Sequence, residues 1–347
     1  MTSVNVALAG FGFMGTMHAQ IYAQLPDARL IGVADPRTDV TRAKLQTLGL
    51  DVPVFNSVPE LLSALPEAEM VDVCTPLDAH EADALTTLEG GRHLFCEKPL
   101  ARSLAAADRI IAAANRAHVM AQVGHCIRFW PEYKALREFV RSGRGGRLLS
   151  LFLTRQSSRP EYTVDNWANC ELRSGGAALD LHIHDTDFII ALLGMPRAVY
   201  SRSVFDSSGP SHIFTLYDYP DVVVSADGGW NYPSGWGFRM AFQAIFEQAC
   251  IDFDSGKSPT LTVTWNNEAP APLAFETPAA EQSQSAGGNI SSPAGYFNEL
   301  RSFIGCILNG TPPVDATLQD ARCSLAVTFA EIESARVKIA VSVEATL

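Results

Sequence analysis

Three polar side chains in this 347-residue sequence have types and spacing suited to moving a proton: Lys98, Asp180 and His184. Asp180 and His184 stand four residues apart in Gly175-Gly176-Ala177-Ala178-Leu179-Asp180-Leu181-His182-Ile183-His184-Asp185. On a helix that spacing projects both from one face, where a carboxylate beside an imidazole favours the protonated ring and holds its orientation, as an acid/base histidine requires. An ordinary polar helix face has the same pattern, so the pair alone leaves both readings open. His182 lies two residues from His184 and would point to nearly the opposite side, which argues against a His-x-His metal pair; no metal is expected. Lys98 follows an apolar strand, His93 to Cys96, and sits between Glu97 and Pro99. In open α/β sheets the ligand crevice lies beyond the carboxyl ends of the strands, so this lysine would face a bound ligand; a solvated surface lysine is the alternative, against which Pro99 argues by fixing where the lysine points.

The element that would bring a ligand to that edge is Val4 to Gly15, VNVALAGFGFMG, an apolar strand running into Gly10-Phe11-Gly12-Phe13-Met14-Gly15 and then a helical pattern. Gly10 permits the tight turn, Gly12 lets backbone approach a pyrophosphate, and Gly15 allows close helix packing. Amide N–H groups at the start of the helix, with its dipole, would hold the phosphates. A second buried strand, Leu30 to Ala34, ends in Asp35, twenty residues after Gly15. An acid there accepts from a ribose diol and repels a 2′-phosphate, which predicts NAD over NADP, with Arg37 softening the repulsion.

From Val4 to about Val123 short β-rich runs alternate with amphipathic helical stretches, the signature of a parallel sheet with crossover helices. Helices are expected over Thr16–Gln24, Thr38–Leu48, Pro59–Leu65, Ala79–Leu88 and, capped by Ser103, on to Ala117. Beyond Gly124 the alternation stops. Pro131–Ser142 reads as a helix, Leu148–Thr154 as a strand, Arg155–Ser174 as a long polar loop containing Trp167, and Ala177–Leu193 as one helix. Strand candidates at Ala198–Phe205, Ile213–Tyr217, Val222–Ala226, Phe238–Phe246, Cys250–Phe253 and Leu261–Thr264 suit an antiparallel meander. Glu268–Ser292 reads as a surface loop, and helices Ala294–Leu308 and Leu318–Lys338 close the chain. The division expected is 1–123 for dinucleotide binding and 124–347 for substrate and oligomerisation, with the final helices able to pack back on the first domain.

Composition narrows the classes of partner. With 47% hydrophobic and 18% charged residues the chain is globular, and no apolar run reaches the roughly 18 residues of a membrane span. A net charge of −12 argues against nucleic acid or an anionic membrane. Seven cysteines without a CxxC pair, and no visible secretory signal, suggest reduced thiols in a cytoplasm. Neither a G-x-S-x-G elbow nor a P-loop occurs.

Taken together, GFGFMG with His18, Asp35, Cys74-Thr75-Pro76 with His80, Glu97-Lys98-Pro99, GHCIRFWP, GGAALDLHIHDTD and a final Y-x-x-E-L-x-x-F segment resemble the Gfo/Idh/MocA oxidoreductases over nearly the whole chain. The resemblance implies an α/β N-terminal Rossmann domain and an α+β C-terminal domain with an open, mostly antiparallel sheet, whose face builds a homodimer or homotetramer. It implies cofactor contacts from Gly10, Gly12, Phe13, Met14, Gly15, Asp35, Arg37, Thr75, Pro76, His80, Glu97 and Lys98. It also implies that Lys98, Asp180 and His184 meet at the nicotinamide of a dehydrogenase acting on a secondary hydroxyl of a sugar, inositol or related polyol. The alternative is a regulatory or sensor protein that binds NAD(P) without turnover. That alternative predicts loss of one of the three polar groups, and all three are present. His125 and Cys126 depart from the positions' usual aromatic and aliphatic residues, and His182 from a common glycine, which bears on substrate identity. Because sugars favour aromatic faces with a few fixed polar groups, Trp167, Trp230, Asn231 and Tyr232 are substrate candidates, with packing at a strand end an equal reading for the aromatic stretch; His125 and Arg155 are further substrate candidates.

Overall fold

The computed structural model describes residues 3–161, 163–276 and 291–343, so part of the expected Glu268–Ser292 loop lies outside the described residues. The chain divides into two compact units. The first takes the residues up to His125 together with Thr163–Trp167 and Tyr296–Arg322, and the second takes the rest.

In the first unit six strands, β1 (Val4–Ala9), β2 (Ala28–Ala34), β3 (Val54–Phe55), β4 (Met70–Val73), β5 (His93–Cys96) and β6 (Ala121–Val123), form a parallel sheet in the order β3-β2-β1-β4-β5-β6. Helices α1 (Phe13–Tyr22), α2 (Thr38–Thr47), α3 (Val58–Ala64), α4 (His80–Glu89) and α5 (Leu104–Ala117) cross between them. The strands are short apolar runs because such a sheet is covered on both faces; Leu8, Phe11, Ala19, Val33 and Leu45 form one part of that core. The order reverses direction between β1 and β4, which is where a doubly wound sheet opens its ligand crevice. Ser103 caps α5 by accepting from the Ala106 N–H at 3.2 Å, as its position before the helical run predicts.

In the second unit α6 (Pro131–Ser142) leads into β7 (Leu148–Ser158), the short α7 (Glu171–Ser174) and α8 (Ile183–Leu193). The remaining strands are β8 (Ala198–Asp206), β9 (Gly209–Asp218), β10 (Val223–Tyr232), β11 (Phe238–Phe246), β12 (Ala249–Asp254), β13 (Leu261–Trp265), β14 (Ala271–Pro272) and β15 (Val341–Ser342). Among the described residues they make a nine-stranded sheet ordered β14-β13-β12-β11-β7-β10-β9-β8-β15, antiparallel throughout except for the parallel pair β7 and β10. Helices α9 (Ala294–Asn309) and α10 (Leu318–Val337) each begin in one unit and end in the other. Among the described residues no helix is long and apolar enough to cross a membrane.

Two strands run further than polarity predicts. β7 continues to Ser158 and β10 to Tyr232, so Arg155 and Trp230 belong to strands, not to loops. Hydrogen bonding to neighbours on both sides sustains them: Arg155 pairs with Gly228 and Met240. The expected helix Ala177–Leu193 is also divided, because Ala178–His182 winds as a wider π-helical turn before α8 begins. Such turns occur mostly inside α-helices and at functional sites.

Candidate functional site

At the end of β1 the three glycines have three different surroundings. Gly10 has φ +86°, and a Cβ there would lie 2.7 Å from the Cys74 carbonyl oxygen; a Cβ on Gly15 would run into the Gly10 carbonyl. The protein itself therefore requires both. A Cβ on Gly12 would meet no protein atom within 4 Å, so nothing in the fold demands glycine there, and the open space suits the close approach of a pyrophosphate. Gly12 precedes α1 with no side-chain cap, leaving the N-terminus of the helix, where Phe13 and Met14 are half-buried, for an anion.

Asp35, at the end of β2, is almost fully buried and its carboxylate is held from several sides. Its Oδ2 accepts from the Phe11 N–H at 2.8 Å and from Arg37 Nη2 at 2.8 Å; its Oδ1 accepts from the Arg37 N–H at 2.8 Å and Nε at 3.1 Å. Burial alone would raise this carboxyl's pKa, but the Arg37 and Phe11 hydrogen bonds override it and hold it below the ordinary carboxylate value. A fixed, ionised acceptor beside the glycine turn fits the ribose of NAD. Thr75 and Pro76 follow β4, and Glu97 and Lys98 follow β5, so all of these positions share the carboxyl edge of one sheet.

Two of the expected cofactor contacts have other partners. His80 is buried, with Nδ1 2.8 Å from the Pro99 carbonyl and Nε2 2.9 Å from the Thr75 carbonyl, so its ring braces the turns that follow β4 and β5. The Glu97 side chain is buried too: Oε2 accepts the Lys98 N–H at 3.1 Å while Oε1 is 3.3 Å from His18 Nε2, inside the unit. Lys98 is half-buried, joined to Pro99 by a cis peptide bond.

In the second unit Asp180 lies on the π-helical turn and His184 on the first turn of α8. Every residue from Ala177 to Ile189 is buried except Asp180, and among the buried ones His184, at 7%, is the most exposed. Asp180 is therefore the one residue of this segment that is not buried, and His184 lies one helical turn from it. Lys98 belongs to the first unit and Asp180 and His184 to the second.

The three residues after His184 are each anchored. Asp185 accepts from Arg155 Nη2 at 2.8 Å and Nε at 3.1 Å, and Arg155 also reaches the Tyr133 hydroxyl at 3.4 Å and the Met240 sulfur at 3.3 Å. Thr186 donates to Glu331 at 3.0 Å and lies 3.0 Å from the Tyr217 hydroxyl. Asp187 accepts from Arg128 at 2.7 and 2.8 Å and from the Ser324 hydroxyl at 2.7 Å. The sequence marked Arg155 as a substrate candidate and gave the other anchors no role of their own, though a run of polar residues inside an apolar helix is a usable signal, since buried polar groups are almost always paired.

These contacts revise several substrate candidates. Arg155 is spent on Asp185 in the interior, because odd-numbered residues of β7 point to the helix-covered face. Trp230 is fully buried in a cluster with Ala177, Leu181 and Phe238, so packing is its role. Tyr232 lies on the other face of the sheet: an irregularity in β10 between Gly229 and Tyr232 re-aims it onto His212, 5.8 Å away, and Trp236, 4.8 Å away, next to the His212–Asp227 pair. Asn231 is exposed, Trp167 half-buried in the first unit, and His125 buried there. His182 is not at an open site either. It is fully buried, with Nε2 3.2 Å from the Tyr217 hydroxyl and 3.3 Å from Glu331; burial lowers its pKa, but the Glu331 carboxylate more than reverses this. Among the described residues the groupings close enough to hold a metal ion both contain His18, and neither contains His182 or His184.

Known proteins resemble the chain in sequence and in fold. Residues 4–125 match the oxidoreductase family with an NAD-binding Rossmann fold, GFO_IDH_MocA, and residues 133–277 match the GFO/IDH/MocA C-terminal domain. Inositol 2-dehydrogenase of Rhizobium meliloti is 30% identical, covering 98% of this chain and 99% of that protein. Myo-inositol 2-dehydrogenase of Thermotoga maritima is 31% identical over 192 residues, so there the chain spans about half the relative's length, 55%. The solved structure of levoglucosan dehydrogenase with NADH and levoglucosan superimposes with a TM-score of 0.84 at 21% identity, covering 99% of this chain and 100% of that one.

The ion pair at Arg155 gives a direct test. Arg155→Met strands Asp185 in the interior and should lower the unfolding free energy by about 3–5 kcal/mol, the usual effect of breaking a buried pair. Denaturant unfolding of the variant measures it; near-native stability with a raised KM would instead return Arg155 to the substrate.

Proposed function

Because the chain belongs to the Gfo/Idh/MocA oxidoreductase family, we propose that it is an NAD-dependent dehydrogenase acting on a secondary hydroxyl of a sugar, inositol or related polyol. The observation that carries this reading is the placement of Asp180 on the π-helical turn and His184 on the first turn of α8, four residues apart, with Asp180 the one residue of Ala177–Ile189 that is not buried. The inositol and levoglucosan dehydrogenases among its relatives support the substrate class.

Gly10, Gly12, Phe13, Met14 and Gly15 would hold the cofactor's phosphates, Asp35 with Arg37 its adenosine ribose, and Thr75 and Pro76 its further length. Bound there, NAD supplies the hydride acceptor. We assign this work to residues 1–123 and substrate binding to 124–347. At the substrate, His184 takes the hydroxyl proton, Asp180 stabilises the imidazolium that forms, and Lys98 donates a hydrogen bond to the reacting oxygen. The anchors on Asp185, Thr186 and Asp187 fix the rotation of α8, which sets the direction of His184.

The open face of the large sheet supports self-association. Phe152, Tyr200, Val204, Phe214, Leu216 and Val223 are exposed along neighbouring strands of that face, and such an apolar surface favours burial against a second copy. Sedimentation equilibrium should find a dimer or tetramer that Phe214→Glu weakens; a monomer at all concentrations would refute this. All seven cysteines are free thiols, which suits the reducing cytoplasm.

His184→Ala should lower turnover by roughly 100-fold or more, the usual worth of a positioned general base, while NAD affinity stays close to wild type. Lys98→Ala should lower turnover and raise KM. Steady-state kinetics on an active polyol, with NAD titrated separately, decides it: wild-type turnover in both variants would remove the chemistry from this site.

A further inference from the structure

Beneath the dinucleotide turn the first unit buries a group of ionisable side chains that the mechanism above does not use. His18 on α1 is fully buried, with Nδ1 2.8 Å from Asp72 Oδ2 and 3.3 Å from the Cys74 sulfur, and Nε2 3.3 Å from Glu97 Oε1. Tyr22 donates to the same Asp72 oxygen at 2.9 Å. Behind Glu97 stands Glu299 of α9, fully buried, whose two carboxylate oxygens make no hydrogen bond. A His18 ring nitrogen, a Glu97 oxygen and a Glu299 oxygen all lie within 4.8 Å of one another. The remaining titratable groups around them are Cys96 on β5, His80 on α4 and Tyr296 on α9. Gly124 completes the enclosure: a Cβ on it would lie 2.8 Å from Glu97 Oε1, so the glycine leaves room for that carboxyl.

Three carboxyl groups and one imidazole in such a space cannot all titrate independently. Two buried carboxylates side by side repel, and a buried carboxylate without a donor loses its hydration with no compensation. Holding a proton on Glu299 removes the repulsion and makes burial without a donor less costly. His18 is hydrogen-bonded to Asp72 through one nitrogen, and its other nitrogen stands 3.3 Å from Glu97 Oε1 without a hydrogen bond, so a charge on the ring would face a carboxylate on both sides. We propose that His18, Glu97 and Glu299 act as one proton-sharing unit, with Glu299 the neutral acid and His18 the cation between Asp72 and Glu97, and that this unit positions Lys98 through Glu97. The link to Lys98 is the hydrogen bond from its backbone N–H to Glu97 Oε2; that half of the proposal rests on the role given to Lys98 above. His18 and Glu299 are thus positioning residues. The directions of their titration agree. Burial and the Glu97 carboxylate push Glu299 well above the ordinary value of 4.5. Burial alone would lower His18, but Cys74 and Asp72 raise it; with the Cys74 thiol itself pushed up by burial and so neutral, Asp72 supplies the charge.

The sign of the stability effect follows. Between 4.5 and the raised value the folded protein keeps the Glu299 proton that the unfolded chain releases, so stability falls as pH rises through that interval. Glu299→Gln is isosteric with the neutral acid and lacks that decline. Its stability relative to wild type should therefore rise with pH. Infrared spectra of the intact protein at neutral pH should contain the carbonyl stretch of a protonated buried carboxyl, absent in Glu299→Gln. His18→Gln, which strands Asp72 and Glu97, should lower turnover roughly 10- to 100-fold, as loss of a supporting contact does. In a Lys98→Ala background that loss should largely disappear, since coupled residues are not additive.

An ionised Glu299 in the infrared spectrum, or a Glu299→Gln variant that loses stability most at high pH, would overturn the proton-sharing unit whatever Lys98 does. So would a stoichiometric metal ion in the purified protein that Glu299→Gln releases. If Lys98→Ala keeps full turnover, or the His18 effect persists in that background, the link to Lys98 is overturned while the spectroscopic result stands apart from it.

Discussion

A charged or polar side chain taken out of water must find a partner, and α8 meets that constraint at three consecutive residues. Asp185, Thr186 and Asp187 are fully buried, and each is tied to a different part of the second unit: Arg155 on β7, Glu331 on α10 with Tyr217 on β9, and Arg128 just before α6. Successive helical residues point about 100° apart, so three anchors in a row brace the helix around most of its circumference. A helix held this way can neither roll nor slide without breaking a buried bond, and so His184, on its first turn, has a fixed direction. The polar residues that look like candidate ligands in the sequence are mostly the supports of a smaller number of working groups.

The same constraint organises the first unit. Asp35 is rigid because Phe11 and Arg37 donate to it, and His80 spans two carbonyls that belong to the turns after β4 and β5. The dinucleotide turn is shaped by a different force, steric exclusion: Gly10 and Gly15 are required where backbone meets backbone, whereas Gly12 faces open space. Pairing of buried polar groups sets orientation, and the absence of a Cβ sets how closely a ligand can approach.

Much of this was legible in the sequence. Strand β5, helix α5 with its Ser103 cap, α6 and β11 begin and end as their apolar periods and flanking residues predict, because local pattern and tertiary environment agree there. The glycine turn, Asp35 and the Asp180–His184 spacing were readable because each depends on residues close together in the chain. What escaped was long-range. Arg155 pairs with Asp185 thirty residues away, His182 with Glu331, and Trp230 fills a space under the π-helical turn; only the sheet register decides that these point inward. A polar segment such as Arg155–Ser158 reads as loop until its neighbours in the sheet are known, and an aromatic stretch such as Trp230–Tyr232 cannot reveal the irregularity that sends its two rings to opposite faces.

The proposed reaction moves hydride between a carbinol carbon and the nicotinamide, while this chain's residues bind, orient and move the proton. The most direct test is to incubate the protein with NAD and a panel of polyols and sugars deuterated at carbon, inositols included, and to determine by mass spectrometry where the label goes. The account predicts that deuterium from one secondary carbinol position of an active substrate is recovered in the reduced cofactor. Tight binding of NAD with no label transferred from any member of the panel would contradict it and favour a protein that senses the cofactor without turnover.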